Sequence, residues 1–214
     1  FEATHVRPQR LMKTLFTDEA YVKANVDEAR LMRRLFDLAC NMQSHDTDMQ
    51  LYSLFTDEEC YDLWSCNNLY WYLTHACSPV TDGLMPYREA DLLRNILDRA
   101  DAALKEGKNQ ATLRFGHESC LLPLVALLEL NHYGESYPDV EKLSEQWRAY
   151  DIFPMASNVQ FVFFHKKGSN DVLVKVLLNE KEAKLPVKTD VAPYYHWKDV
   201  ESYYREKLDK YQHI

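Results

Sequence analysis

The chain has 214 residues, 46% of them hydrophobic and 27% charged, with a formal net charge of -8 and a pI near 5.5. That length suits one large domain or two small ones, and the acidic balance argues against nucleic acid or an anionic membrane as a main partner. No run reaches the roughly 18 apolar residues of a membrane span, no secretory leader is legible, and the first residue is Phe1 and not Met, which reads as a processed or truncated product.

Residues 1 to about 108 read as helical. Thr17 is placed to cap a long helix reaching about Asn41, with Val22, Val26, Ala29, Leu31, Leu35 and Leu38 recurring near helical spacing. Thr56 followed by Glu59 is a capping box that opens a second helix, Asp57 to about His75. The phrase LFTDE stands at both helix starts, 15–19 and 54–58, and reads as shared capping chemistry and not as a repeat. Trp64, Tyr70, Trp71 and Tyr72 are assigned to the core. Ser78 to Tyr87, with two prolines and a glycine, is a loop. A third helix runs from about Arg88 to Leu104 and stops before Gly107.

From Gln110 the texture becomes α/β. A short apolar run, 111–115, reads as a strand and ends in Gly116-His117-Glu118-Ser119, after which an apolar helix runs over 119–130. Val140 to Tyr150 is read as a short helix. Asn158 to Lys166 is a buried strand, a turn at 168–170 leads to a second strand, Val172 to Leu178, and a short third strand ends near Leu185. These are expected to form an antiparallel meander on the edge of a mixed sheet, followed by an amphipathic terminal helix over 198–210. The division expected is a helical cap region, 1–108, beside part of an α/β core, 109–214.

Cys40, Cys60, Cys66, Cys77 and Cys120 include no CxxC pair, and no His/Asp/Glu cluster has ligand spacing, so no metal and no cofactor is expected. The cysteines read as buried thiols, with a disulfide among Cys60, Cys66 and Cys77 as the alternative in an oxidising compartment.

The candidate chemistry lies at the junction of the run 111–115 and the helix after it. The first backbone N–H groups of a helix lack intrahelical partners and the dipole is positive there, so the helix start attracts anions. An imidazole and a carboxyl at that point can hold a phosphate and protonate a leaving oxygen. The plainer reading is a turn with a dipole-favoured carboxylate. Ser44-His45-Asp46-Thr47 reads as a polar interhelical loop, and His75 as a favourable cation at a helix C-terminus. His165 reads as a solvated strand end, and Tyr194 to Trp197 as packing for the terminal helix. Arg114 faces either the site or a cap carboxylate.

The element His117-Glu118 between a strand and a helix resembles the C-terminal motif of the histidine acid phosphatases, branch two of the histidine phosphatase superfamily, which includes phytases and multiple inositol polyphosphate phosphatases. The family pattern there is His-Asp or His-Ala-Glu. FPMASNVQFVFF (153–164), LFTDEECYDLWSCNNLYWYL (54–73) and LLRNILDRADAAL (92–104) are similar to that branch in the same order. The resemblance implies a phosphoglycerate-mutase-like α/β domain with a helical cap. It implies phosphomonoester hydrolysis through a phosphohistidine, with Glu118 as proton donor and His117 as a catalytic, phosphate-binding ligand. The family's nucleophile lies in an Arg-His-Gly-x-Arg-x-Pro motif that this chain does not contain. The chain is therefore expected to be the C-terminal part of a secreted or periplasmic phosphatase, inactive alone. Its expected partners are a phosphate monoester and either the missing N-terminal segment or an oligomer contact. A non-catalytic binding or scaffold module of the same fold is the competing reading.

Overall fold

The computed structural model describes residues 1–108 and 110–211. It divides into two compact units, Phe1–Tyr70 and Trp71–Ile214, and the division falls within one helix.

The first unit is helical: α1 (Glu2–His5), α2 (Gln9–Leu15), α3 (Glu19–Asn25), α4 (Glu28–Asn41) and the first part of α5 (Asp57–His75). The single helix expected from 17 to 41 is broken at Val26 and Asp27, both extended. The Asp18 carboxylate accepts from the Tyr21 N–H at 2.9 Å and the Asp27 carboxylate from the Arg30 N–H at 3.0 Å, so two aspartates cap two helices and Thr17 caps none. An Asp side chain offers helical N–H groups an alternative to the continuing backbone ladder, and at Asp27 the chain takes it. Leu11, Met12, Val22, Met32, Ala39, Phe55 and Leu63 form the core.

The capping box is present. The Thr56 N–H donates to Glu59 Oε2 at 2.9 Å, and the Glu59 N–H donates to Thr56 Oγ1 at 3.2 Å. Arg10 grips the same carboxylate with two donors, one of them Nε to Oε1 at 2.7 Å, and holds its pKa below the usual value.

The second unit contains the end of α5, then α6 (Ala90–Glu106), α7 (Glu118–Leu127), α8 (Leu143–Gln146), α9 (Ala149–Ile152), a sheet, and α10 (Trp197–Tyr211). Gly107, at φ +65°, ends α6 in the left-handed conformation that glycine adopts most readily. In the sheet, β1 (Val159–His165) pairs antiparallel with β2 (Val172–Leu178), in register from Val159↔Leu178 to His165↔Val172. The opposite edge of β2 carries β3 (Lys181–Glu182) at one end and β4 (Tyr195–His196) at the other, both antiparallel. The order and pairing of the meander are as expected, but β1, expected to be buried, has no fully buried residue and ends exposed at Phe164 and His165; β4, only two residues long, was not legible. Val174, Val176 and Leu178 point into the core on alternate positions. Trp197, Val200, Tyr204 and Leu208 line the buried stripe of α10, and Trp197 meets Phe163 of β1 edge-on at 4.9 Å.

Two further expectations fail. Residues 111–115 form no strand: the segment belongs to no ladder among the described residues, and Phe115 is 94% exposed. Its Leu113 and Phe115 alternate as a strand requires, but a strand's N–H and C=O groups need a neighbouring strand, and none lies beside it among the described residues. Tyr70, assigned to the core, is 56% exposed.

Candidate functional site

Helix α7 holds the two motif residues. His117 is its N-cap, extended at φ -119° and ψ 165°, and its carbonyl accepts from the N–H groups of Cys120 (3.0 Å) and Leu121 (3.1 Å). Its imidazole makes no cap hydrogen bond and is exposed. Glu118 is the first helical residue and is also exposed. The structure therefore presents both side chains to solvent beside the free N–H groups and positive dipole end of the helix. They do not follow a paired strand, as the sequence suggested, but an extended segment in solvent.

The other end of α7 is fixed. Leu122 to Leu128 are all buried. The last carbonyls of a helix lack intrahelical donors, and α10 supplies them: Tyr204 Oη donates to the Leu128 carbonyl and Lys207 Nζ to the Leu127 carbonyl, each at 2.7 Å. Lys207 also pairs with Glu129 at 2.7 Å, and Tyr203 donates to the same carboxylate at 2.5 Å. Burial and this carboxylate suppress ionisation of the Tyr203 phenol.

A 3₁₀ turn, Met85–Glu89, packs along α7 and brings in residues that the sequence reading missed. Arg88 in this turn is exposed. Burial pushes the Glu89 carboxyl up, against the pull of Arg88 and of the Cys120 thiol that donates to it. His75, the last residue of α5, is 8% exposed. Its Nδ1 is 2.7 Å from Thr74 Oγ1, and its ring lies 4.7 Å from Trp71, which in turn meets Phe153 at 4.9 Å. Burial lowers the His75 pKa, the charge of Arg88 lowers it further, and Glu118 acts in the opposite direction. His75 is thus a buried imidazole whose surroundings disfavour its charged form, which counts against the reading of it as a favourable cation at a helix end. The signal available in the sequence was weak: a histidine ending an apolar helix, and an arginine in a loop.

The remaining candidates lie in other settings. His45 is 3.3 Å from Asn41 Nδ2 in the first unit. His165 Nε2 meets the Ser169 carbonyl at 2.7 Å and closes the β1–β2 turn. His196 is held between Asp171 and Asp190, each at 3.0 Å. Arg114 donates to the Asn95 Oδ1 amide oxygen of α6 at 2.8 Å, and not to a carboxylate. All five cysteines are free thiols, so the disulfide alternative is not realised, and burial raises Cys66 to about 11.

The family model described as "Histidine phosphatase superfamily (branch 2)" matches residues 5–179. The chain belongs to this family. It is 28% identical over 134 residues to human multiple inositol polyphosphate phosphatase 1, an alignment covering 56% of this chain and 27% of that protein. Its fold matches the multiple inositol polyphosphate phosphatase of Bifidobacterium longum. Against the phosphate complex of that protein the TM-score is 0.71 at 22% identity, covering 85% of this chain and 40% of the other. Against its inositol hexasulfate complex the TM-score is 0.67 at 22% identity, covering 82% and 38%. The chain thus spans well under half the length of these relatives, and the α/β histidine phosphatase fold is what they share with it.

Proposed function

We propose that this chain is the C-terminal part of a phosphomonoester hydrolase of the histidine acid phosphatase type. The supporting observation is the exposed His117-Glu118 pair at the free N-terminus of a helix anchored at its other end, in a chain of this family. In this reading the nucleophilic imidazole and its phosphate-binding arginines come from a segment outside these residues. An alkoxide leaves poorly without a proton, and a positioned acid contributes about 10²–10⁴-fold. Glu118 supplies that proton and His117 holds a phosphate oxygen. The extended run 111–115, with Leu113 and Phe115 in solvent, is the place where a strand of that outside segment, or of an oligomer partner, adds. Inositol polyphosphates and other phosphate monoesters are the substrate class.

A second reading has one observation in its favour. Set on the His-Ala-Glu spacing, Glu118 stands one place early and Ser119 occupies the acid's position. A non-catalytic, anion-binding member of the family would tolerate that change.

The test is turnover of p-nitrophenyl phosphate and of phytate by this chain, by the product of the complete reading frame, and by its Glu118→Gln variant. The proposal expects activity only in the complete product. The variant should be slowed about 10²–10⁴-fold on phytate and much less on p-nitrophenyl phosphate, whose phenolate leaves unaided. A complete product inert on every monoester decides for the second reading, and equal slowing of both esters removes Glu118 from the donor role.

A further inference from the structure

His196 stands where three stretches of the second unit meet. It is the second residue of β4, pairs with Leu173 of β2, and directly precedes Trp197, the first residue of α10. Its Nδ1 lies 3.0 Å from Oδ2 and 3.1 Å from Oδ1 of Asp171, at the end of the β1–β2 turn. Its Nε2 lies 3.0 Å from Asp190 Oδ1, in the loop before β4. A carboxylate only accepts, so both ring nitrogens must donate, and only the imidazolium carries a proton on each. The distances therefore describe a charged ring. Asp171 first and Asp190 second favour that charge, and the ring in turn holds the Asp190 carboxyl below its usual value.

The Asp171 contact spans 25 positions of sequence and ties β4 to the β1–β2 turn, whereas the Asp190 contact spans 6 and closes the loop on its own strand. Strand β4 has two ladder pairs, Leu173↔His196 and Val174↔Tyr195. So short a strand gains little from its backbone alone, and side-chain ties carry more of its order. Other charged groups on the elements that meet here are Lys166 and Lys167 in the β1–β2 turn, Lys175 on β2, Lys188 in the loop, and Lys198 and Asp199 in the first turn of α10. Lys175, on the sheet face that His196 shares with Leu173, is taken up by Glu182 at 3.1 Å and by the Tyr194 ring at 5.5 Å. His165, the other imidazole at this turn, donates from Nε2 to the Ser169 carbonyl at 2.7 Å. Among the described residues, only Asp171 and Asp190 hydrogen-bond the His196 ring.

We propose that His196 is a pH-sensitive clasp: as an imidazolium it ties the β1–β2 turn and residues 186–194 to β4, and loss of its proton loosens β4 and that loop locally while β1, β2 and β3 stay paired. A neutral ring has one N–H, so whichever nitrogen loses its proton turns a lone pair toward a carboxylate oxygen at 3.0 Å. Tyr195 is buried and its phenol accepts from the Leu185 N–H at 3.0 Å, so the release is a loosening and not a detachment. Since β4 leads straight into α10, and α10 anchors α7, the clasp holds the entry to that anchor most firmly in acid. The inference goes beyond the phosphatase reading and does not depend on it.

The test is amide hydrogen exchange of this chain from about pH 5 to about pH 9, a range that brackets an ordinary imidazole, with protection expressed against a free peptide at the same pH. The probes are the amides of 194–196. The reference is the Ala183 N–H, which donates to the Val176 carbonyl at the other end of the same β2 edge. Protection at 194–196 should be complete below about pH 6.5 and fall about three- to tenfold as pH rises through the folded value of His196. Ala183 should show no such step. The His196 ring signal, assigned by its loss in His196→Gln, should titrate above about 6.5. His196→Gln should hold 194–196 at the lower protection at every pH, and Asp171→Asn should remove most of the step, because Asp171 is the tie to another element. A histidine that merely packs would leave the pH profile flat. Equal protection at both ends of the range, a step shared by Ala183, a step that survives in His196→Gln or is untouched in Asp171→Asn, or a ring titrating at or below about 6.5 overturns the proposal. If His196→Gln does not fold, the comparison of 194–196 with Ala183 in the unaltered chain decides.

Discussion

Lys207→Met tests what holds the candidate site in place. The substitution keeps an unbranched apolar stem of similar length and removes the ammonium that donates to the Leu127 carbonyl and to Glu129, each at 2.7 Å. The Lys207 side chain is 15% exposed and that of Glu129 31%, so water screens the pair only in part. A charge-assisted hydrogen bond in such a setting nets about 1.5–3 kcal/mol. A cation at a helix C-terminus adds about 0.3–1 kcal/mol. Against these stands the desolvation of Lys207, which the variant no longer carries. Glu129 also keeps Tyr203 and can regain water. The net expected loss is about 2–3 kcal/mol. Urea unfolding followed by far-UV circular dichroism would measure it, with a double-mutant cycle through Glu129→Gln giving a coupling of about 1–2 kcal/mol. Salt at 1 M should change the result little, since partly buried pairs are weakly screened. A loss below about 0.5 kcal/mol, or one abolished by salt, would refute the view that α10 fixes the far end of α7.

Tyr204→Phe removes only the phenol that donates to the Leu128 carbonyl inside the core, and should cost about 1–2 kcal/mol in the same assay. In the first unit, Glu59→Ala deletes both the capping box and the Arg10 contact, for a loss of about 2–3 kcal/mol at pH 7. Arg10, chiefly, depresses the Glu59 pKa, so this stability is present above the ordinary value near 4.5 and lost as pH falls through the folded one. The penalty should therefore shrink in acid melts, and a constant penalty would contradict the ion pair. Asp171 first and Asp190 second raise the pKa of His196. That contribution is complete below about pH 6.5 and disappears as pH rises through the folded value; Asp171→Asn should flatten the decline in thermal stability above pH 6.5. His75 carries the opposite sign, because burial lowers its pKa. Its protonation costs stability as pH falls below about 6.5, and His75→Asn should flatten the acid side of the same curve.

Much of this molecule was legible where chemistry is local. Thr56 and Glu59 mark the start of α5 because a cap needs only residues three apart. The run 159–165, the turn at Gly168 and the run 172–178 mark a hairpin because its partners are adjacent in the chain. His117 and Glu118 could be placed at a helix start for the same reason. Where two local rules competed, reading failed: the apolar period ran through residue 26, but the chain is extended at Val26 and the carboxylate of Asp27 caps a new helix. Where the partner is distant, local reading had nothing to work with. The alternation of residues 111–115 describes a strand, yet a strand exists only beside another, and the fold leaves this one in solvent. The two residues of β4 form a ladder only because β2 is there to receive them. Tertiary packing likewise buries His75 and sets it near Arg88 and Glu118. Burial and proximity across 13 and 43 positions of sequence decide whether that imidazole carries a charge, and neither is a property of the residues around it in the chain.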